Sequence, residues 1–294
     1  MLPMKIKTCF SVSYYAETRT ASMRKLPVVA KLAEEQGFAQ LVDPGSIDPE
    51  KLRRLHNPRY VEAFLSGEGP LARAQGWPWT PEIRDGVLAI QAGQIKAAEM
   101  ALEEGIAANV AQGFHHARYA QGSAYCTFNG LALVAQEFPH LKVGVLDCDE
   151  HQGNGTAEFT ERLPNRYNFT IYGSSMFANE TERSVHRQLE RVSNAFQRYL
   201  SVVEEGCEQL RAWGMDLVIY QAGADPHLDD PLNTLGLSTS QLYQRDRQVF
   251  RWLREAGIPA FFVLAGGYQE PITQNLAPLH VNTFRAASEC YGQK

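Results

Sequence analysis

The sequence VLDCDEHQGNG, residues 145–155, begins as a buried strand and ends in acidic and imidazole side chains. An apolar run from residue 143 leads into Asp147, Asp149 and His151, which occupy alternate positions. Alternate residues of a strand point to one face, so the pattern predicts two carboxylates and one imidazole on the same side. Buried charges are unfavourable unless a partner compensates them. The stretch therefore predicts a bound cation where this strand ends.

Short apolar runs and helical patterns alternate along the rest of the chain. The runs predict strands at 5–10, 143–149, 168–172, 216–221 and 260–264, and the apolar spacing predicts helices at 26–36, 87–104, 128–138, 184–213 and 241–256. Continuous rather than alternating apolar character is typical of strands that are covered on both faces. We therefore expect one α/β domain over residues 1–294, with three α/β/α layers around a mostly parallel central sheet.

Composition excludes several classes of partner and compartment. The net charge of −5 gives no electrostatic case for binding nucleic acid or an anionic membrane. No apolar run approaches the roughly 20 residues that a membrane span needs, and the first residues do not resemble a secretory signal. The five cysteines are scattered without a CxxC pair, which favours a reduced, cytoplasmic protein. The oligomeric state cannot be read from the sequence.

Three predicted strands are followed by residues that could bind a ligand or take part in catalysis. They are Asp149 and His151 after one strand, Asp225 after the next, and Gly266-Gly267-Tyr268 after the third. In parallel sheets ligands lie beyond the carboxyl ends of the strands. Two carboxylates and one imidazole with an open position form a catalytic metal site, suited to Zn²⁺ but also to Fe²⁺, Co²⁺ or Mn²⁺. Each Asp taken singly is typical of a turn or helix cap; the three residues together favour the metal.

A second group of candidate residues lies at His115-His116, just before a loop of small residues at 121–124. Either histidine alone could be an ordinary core residue, but a metal-bound water needs a base, and histidine has a suitable pKa. Asp147 would orient one histidine and keep it charged, whereas Asn154 would fix the other without raising its pKa as strongly. The hydroxyl of Tyr268 would donate to an oxyanion beside the metal.

These motifs, in this order, resemble the zinc-dependent histone deacetylase superfamily, which has the arginase–deacetylase fold. The matching segments are GFHHA (113–117), GSAYCTFN (122–129), LDCDEHQGNG (146–155), QAGADPHLDDPL (221–232) and AGGYQ (265–269), with LHNPRYVEAFL (55–65) also similar. The sequences at 147–155 and 266–269 are most similar to the class IV type and its bacterial histone deacetylase-like relatives. Agreement of several spaced motifs makes the resemblance specific.

The resemblance implies a role for each matching residue. Asp149, His151 and Asp225 would bind zinc, His116 would be the principal base, and His115 would assist it. Asp147 would pair with His115, Asn154 with His116, and Tyr268 would be the catalytic tyrosine. A structural K⁺ ion would bind to Asp147, Asp149, His151, Thr170 and Ile171. The substrate channel would be formed by Phe114, Ala124, Tyr125, Phe177, Leu232, Gly266 and Gly267.

The resulting prediction is a zinc-dependent deacetylase or deacylase that removes acetyl or longer acyl groups by metal-activated water. Its substrate would be an acylated lysine in a peptide or protein, or a small acylated amine. One alternative is an acyl-lysine or acylpolyamine-binding protein with little turnover, which Asn154 and the unusual loop at 173–177 keep open. Another is a binuclear manganese ureohydrolase of the arginase kind, which would need further His and Asp ligands.

Overall fold

The computed structural model describes residues 4–192 and 195–292. Within these residues, eight parallel strands form one sheet in the order β2-β1-β3-β8-β7-β4-β5-β6. The strands are β1 Ile6–Cys9, β2 Ala39–Val42, β3 Ile106–Asn109, β4 Val143–Asp147, β5 Arg166–Tyr172, β6 Ser184–Gln188, β7 Leu217–Gln221 and β8 Ala260–Val263.

Helices cover both faces of this sheet. They are α1 Ala21–Arg24, α2 Leu26–Glu35, α3 Pro49–Leu55, α4 Pro58–Ser66, α5 Pro81–Glu104, α6 Gly130–Glu137, α7 Asn154–Arg162, α8 Phe196–Trp213, α9 Thr239–Ala256 and α10 Ala277–Tyr291. One layer contains α2, α8, α9 and α10, and the other contains α5, α6 and α7. No helix of the described segments has the length and apolarity needed to cross a bilayer.

Alternate side chains of the central strand β4 enter the two apolar cores. Val143 and Val145 pack in the core beneath α5 and α6, whereas Leu146 packs in the core on the α8 side. A Cβ atom on Gly206 of α8 would lie 2.8 Å from Cδ1 of Leu146, so the absence of a side chain there lets the helix approach the sheet. Burial on both faces explains why the predicted strands are apolar throughout.

The five predicted strands are confirmed within one or two residues at their ends, and four of the five predicted helices form where expected. The helix predicted over 184–213 is wrong in its first half. Ser184–Gln188 is the edge strand β6, in which Ser184 and His186 are buried while Val185 and Arg187 are partly exposed. This alternation has the period of a strand, and α8 begins only at Phe196. Residues 193 and 194 lie outside the described ranges.

The structure also contains elements that the sequence pattern did not predict. Strand β2 forms one edge of the sheet, and β3 lies between the predicted strands β1 and β8. Helices α3, α4, α7 and α10 complete the two layers. Each of these strands has four residues, too few to show a clear period. Because every strand is parallel, all carboxyl ends meet at one edge of the sheet, where the predicted site residues lie.

Candidate metal and catalytic site

Asp149 and His151 lie in a turn after β4 rather than on the face of the strand. Strand β4 ends at Asp147, and the backbone N–H groups of the next residues bond to side chains just before them. Asp149 N donates to Oδ1 of Asp147 over 3.1 Å, and His151 N donates to Oδ1 of Asp149 over 3.0 Å. The expected strand alternation is therefore not the reason why these side chains lie together. Two successive Asx-type turns bring them together instead.

Asp149, His151 and Asp225 converge so that one ligand atom from each lies within 4.8 Å of the others. Nδ1 of His151 is 3.2 Å from Oδ1 of Asp149 and 3.2 Å from Oδ2 of Asp225. A Cβ atom on Gly266 would lie 2.0 Å from Oδ2 of Asp225, so only glycine permits this approach. In the part of the chain that the structure describes, these residues form the one such group of three.

Charge and hydrogen bonding at this cluster fit a cation. Burial, together with the nearby Asp149 charge, raises the pKa of Asp225 to about 7. Among the described residues, Oδ2 of Asp225 accepts no hydrogen bond of suitable geometry, although the His151 ring lies beside it. Two buried carboxylates that share a site with one imidazole are stabilised by a divalent ion, and Asp149 also lines a cavity. The residues present therefore fit a bound metal.

His115 and His116 lie side by side, with ring centroids 3.9 Å apart, but they have different partners. Nδ1 of His115 donates to Oδ2 of Asp147 over 2.8 Å, and Nδ1 of His116 donates to Oδ1 of Asn154 over 2.8 Å. A carboxylate stabilises the charged imidazolium more strongly than an amide does. The pairings expected from the resemblance are the ones that the structure shows.

These partners shift the two imidazole pKa values in opposite directions. Burial alone would lower the pKa of His115, but the charges of Asp147 and Asp149 outweigh it, so that this pKa lies above its ordinary value. Burial and the neighbouring His115 charge hold the pKa of His116 well below its ordinary range. The proton is therefore held more strongly by His115 than by His116, an arrangement that separates electrostatic and base roles.

Tyr268 follows a turn that several side chains hold in place. Gly266 N donates to Oδ2 of Asp149 over 2.8 Å, and Tyr268 N donates to Oδ2 of Asp230 over 2.7 Å. The fully buried ammonium of Lys25 donates to the carbonyl oxygens of Ala265 over 2.7 Å and Gly267 over 3.4 Å. Ala265 has φ +53°, a left-handed conformation that disfavours a residue with a Cβ atom.

Lys25 and Asp230 were not among the residues predicted from the sequence. Asp230 lies only five residues after Asp225, and this short separation is a signal that sequence reasoning could have used. Lys25 lies 240 residues before Ala265 and precedes an ordinary amphipathic helix, so its contact carries no local signal. Both residues fix the backbone that leads into Tyr268.

One narrow cavity of about 20 Å³ connects these groups. It brings together His115, His116, Asp149 and Tyr268 with the predicted channel residues Phe114, Ala124, Tyr125 and Gly266. The Tyr125 ring lies 6.1 Å from the Tyr268 ring and stacks on Trp77. Ser22, Gln112, Cys126, Gln221 and Ala265 complete the lining, and none of these five was predicted as a site residue.

Three predicted channel residues lie apart from this cavity. Phe177 is 91 % exposed and lines a separate cavity beside Asn154. Leu232 is exposed on the loop after β7, and a Cβ atom on Gly267 would meet Leu276 and His280 rather than the site. The loop after β5 is held instead by Gln152, whose Oε1 accepts from the N–H groups of Met176 and Ala178.

The residues predicted to hold K⁺ surround the end of β4. Thr170 is the register partner of Asp147 on the neighbouring strand, and its Oγ1 accepts from Gly153 N over 3.4 Å. Ile171 follows on β5 and is fully buried. These contacts bring Asp147 and Thr170 to one place in the fold, and the identity of an ion there stays a prediction.

The family model described as "Histone deacetylase domain" matches residues 18–284. An uncharacterised protein of Picosynechococcus sp. is 32 % identical over 269 residues, which cover 85 % of this chain and 89 % of that protein. Histone deacetylase 2 of Arabidopsis thaliana is 33 % identical over 196 residues, 63 % of this chain and 50 % of that protein.

Two further similarities concern acetylpolyamine hydrolases. Acetylpolyamine amidohydrolase 1 of Pseudomonas aeruginosa is 22 % identical, with 90 % of this chain and 88 % of that protein covered. The crystal structure of an acetylpolyamine aminohydrolase from Burkholderia pseudomallei superposes with a TM-score of 0.82 at 16 % identity, covering 97 % of this chain and 99 % of that one. This likeness confirms the predicted parallel α/β/α fold of the arginase–deacetylase type.

The family match extends over most of the chain and includes every predicted metal ligand and catalytic residue. Members of this family are hydrolytic deacetylases and amidohydrolases that are normally metal-dependent, which agrees with the buried Asp–His–Asp cluster. The chain belongs to the histone deacetylase domain family.

Proposed function

We propose that this protein is a zinc-dependent amidohydrolase that removes acyl groups from lysine side chains or similar amines. The observation that carries the proposal is that one cavity is lined by His115 and His116, whose pKa values are shifted in opposite directions, together with the carboxylate of Asp149 and Tyr268. Amide hydrolysis needs a base for water, a donor for the developing oxyanion and an acid for the leaving amine. The residues of this cavity can supply all three.

Asp149, His151 and Asp225 would hold the metal, and Zn²⁺ suits one imidazole and two carboxylates with an open position. Fe²⁺ and Co²⁺ accept the same donors. When bound, the divalent cation lowers the pKa of a coordinated water and polarises the acyl carbonyl. A K⁺ ion near Asp147 and Thr170 is part of the same proposal and would stabilise the carboxylate that pairs with His115.

His116 would act as the base at its Nε2 atom, because its Nδ1 proton is committed to Asn154. Its low pKa keeps the ring neutral and able to accept a proton from the attacking water. The hydroxyl of Tyr268 would donate to the acyl oxygen as negative charge develops there. Charged His115 would stabilise this negative charge, and a protonated histidine would return the proton to the leaving amine.

The chemical class of substrate follows from the relatives and from the cavity. Proteins named as histone deacetylases and as acetylpolyamine amidohydrolases are both similar to this chain, so acylated lysine and acylated polyamine are the two substrate classes to compare. Both present a secondary amide on a flexible alkylamine, and the rings of Tyr125 and Phe114 line the cavity in which this amide would react. This choice does not affect the roles of the catalytic residues.

The test is acetate release from an Nε-acetyl-lysine peptide and from N-acetylputrescine by the zinc-loaded protein, with His116→Ala as the inactive control. We expect turnover of at least one substrate and its loss in the variant. Zinc bound at one ion per chain with no acetate released from either substrate would contradict the proposal. Tight binding without release would instead favour an acyl-amine receptor, and two metal ions per chain with hydrolysis of a guanidino substrate would favour a ureohydrolase.

A further inference from the structure

A buried guanidinium connects the two loops that carry the carboxylates of the proposed metal site. Arg245 lies on α9 and is 1 % exposed. Its Nη1 atom donates to the carbonyl oxygen of Cys148 over 3.1 Å and to that of Gly223 over 2.9 Å. Cys148 immediately precedes Asp149, and Gly223 lies two residues before Asp225. One nitrogen atom therefore joins the backbone segments that lead into the two carboxylate ligands.

The same two loops approach each other closely at this point. A Cβ atom on Gly223 would lie 2.7 Å from Cα of Asp149, so the two backbones are in direct contact. The N–H group of Glu150 donates to Oδ1 of Asp225 over 3.2 Å. The register pairing of β4 with β7 ends at Asp147. Beyond the strands, the separation of the two loops therefore depends on individual contacts such as these.

Other buried groups fix the orientation of the guanidinium. Nε and Nη2 of Arg245 each lie 2.9 Å from Oδ1 of Asp246. The carboxylate of Asp246 accepts from the hydroxyl of Tyr220 on β7 over 2.6 Å and from the hydroxyl of Thr283 on α10 over 2.7 Å. Charge-assisted hydrogen bonds are stronger than neutral ones, and a planar guanidinium donates in fixed directions. The position of Nη1 is therefore set by its neighbours on β7, α9 and α10.

The contacts of Arg245 serve two separable purposes. Its ion pair with Asp246 contributes little net stability, because moving two charges out of water costs about as much as their attraction returns. The bonds to the carbonyl oxygens of Cys148 and Gly223, in contrast, act directly before the ligand residues. Groups that hydrogen-bond behind metal ligands orient the ligands and tune the affinity for the metal.

We propose that Arg245 is a positioning residue that holds Asp149 and Asp225 at the separation a divalent cation requires. This inference rests on the metal site of the proposed function and adds a residue that lies outside both the ligand group and the catalytic cavity. Because Arg245 holds the loops before the cation binds, binding does not have to order them. Loss of Arg245 should therefore lower the affinity for the metal.

The test is a calorimetric titration of the chelator-treated protein with zinc sulfate. The variant is Arg245→Met/Asp246→Asn, which removes the guanidinium without leaving an unpaired carboxylate in the interior. We expect it to bind zinc about 10–100-fold more weakly than the wild type, the loss that follows removal of other groups that orient metal ligands. The stoichiometry should stay at one ion per chain, since the three ligands are unchanged.

Val249→Ala is the matched control for a loss of stability. Val249 is fully buried on the same helix, one turn after Arg245, and packs in the apolar core. Its truncation should lower the melting temperature and leave the affinity for zinc unchanged. Arg245→Lys is a second test that keeps a charge beside Asp246, so it decides the inference if the double variant does not fold. Lysine lacks the planar fork of donors, so this variant should also bind zinc more weakly than the wild type.

A spectroscopic measurement reports the geometry of the ligands directly. Co²⁺ accepts the same donors as zinc, and its visible absorption depends on the arrangement of those donors. With cobalt chloride, Val249→Ala should reproduce the wild-type spectrum, whereas the double variant should show weaker or shifted bands. Identical spectra in the wild type and the double variant would count against a positioning role.

The outcomes separate this inference from the proposed function. Unchanged zinc affinity in the double variant, or in Arg245→Lys if only that variant folds, would leave Arg245 a structural role alone and overturn the inference. An equal loss of affinity in Val249→Ala would also overturn it, because any loss of stability would then suffice. The titrations use no substrate, so a wild type that binds zinc without hydrolysing amides would count against the amidohydrolase alone. A wild type that binds neither zinc nor cobalt would reject the metal site and this inference together.

Discussion

Nδ1 of His116 donates a hydrogen bond to the amide oxygen of Asn154 over 2.8 Å, and Nδ2 of Asn154 donates in turn to the carbonyl oxygen of Met176 over 3.5 Å. An amide oxygen only accepts, so this contact fixes the proton of neutral His116 on Nδ1 and leaves Nε2 free. The neighbouring His115 has a carboxylate in the same relative position. The charge of the carboxylate raises the pKa of His115, whereas the pKa of His116, beside a neutral amide, is lowered by burial.

Asn154→Asp should move the acidic limb of the kcat/KM profile to higher pH. A carboxylate beside His116 would favour the protonated ring and raise its pKa, by about 1 unit or more for a close opposite charge. The neutral base would then be lost at a higher pH than in the wild type. The measurement is the pH dependence of kcat/KM on an acetyl-lysine peptide with zinc kept saturating. An unmoved acidic limb would show that His116 is not the titrating base.

Tyr268→Phe should lower kcat by about 10²-fold or more, because one donor to the developing oxyanion is lost. Zinc stoichiometry should stay the same, since the hydroxyl is not a ligand in the cluster. Tyr243→Phe on α9 is the matched control, because that hydroxyl bonds to Glu289 away from the cavity. Near-normal turnover in Tyr268→Phe would remove Tyr268 from the mechanism.

Asp225→Asn should weaken zinc binding, because a neutral amide replaces a charged ligand. Loss of a residue that only hydrogen-bonds to a metal ligand costs roughly 10–100-fold in affinity, and we expect a larger loss here. Asp229 lies four residues further on, and its side chain is largely exposed. The Asp229→Asn variant is therefore the control and should bind zinc normally. Calorimetric zinc titration and elemental analysis report affinity and ions per chain. Unchanged affinity in Asp225→Asn, or two ions in the wild type, would reject the three-ligand site.

Lys25→Met should lower kcat by about 10- to 100-fold, the effect of a small displacement of a positioned group. The ammonium holds the Ala265 and Gly267 carbonyl oxygens, and its loss would release the turn that positions Tyr268. Zinc stoichiometry should not change. Lys31→Met on the following helix α2 is the control, because Lys31 is 76 % exposed. A normal kcat in Lys25→Met would show that the turn holds its position without this residue.

His56 should make stability depend on pH between about 6.5 and 4. Burial lowers the pKa of His56 to about 4, although the carbonyl oxygens of Arg118 and Tyr119 accept from its ring. As the pH falls below 6.5, His56 of the unfolded chain takes up a proton. In the folded chain His56 takes up a proton only near pH 4. The contribution is fully present above pH 6.5 and falls by about 3 kcal/mol towards pH 4.

The measurement is the free energy of unfolding of wild type and His56→Gln at several pH values across this range. The variant should be less stable at pH 7 but lose less stability on acidification, because it lacks the titrating ring. Parallel pH dependences of the free energy of unfolding for the two proteins would show that His56 does not cause the loss of stability at low pH.

The candidate site residues were identifiable from the sequence because they lie in short motifs beyond strand ends. Asp149, His151 and Asp225 form the expected group of three, and the two histidines have the expected partners. An apolar run followed by acids, histidines or glycines reports a buried strand and its carboxyl end, and both are local properties. The fold class follows from the same pattern, since continuous apolar strands require helices on both faces.

Tertiary structure decided which distant side chains complete the site. Lys25 reaches Ala265 across 240 residues, and Asp230 reaches Tyr268 across 38. Gln112 and Gln221 come from distant parts of the chain and line the same cavity. It also decided that Ser184–Gln188 is an edge strand, because pairing with β5 outweighs a weak local preference. Sequence periodicity reports burial and local geometry, whereas the partner of a buried polar group depends on how separate elements pack.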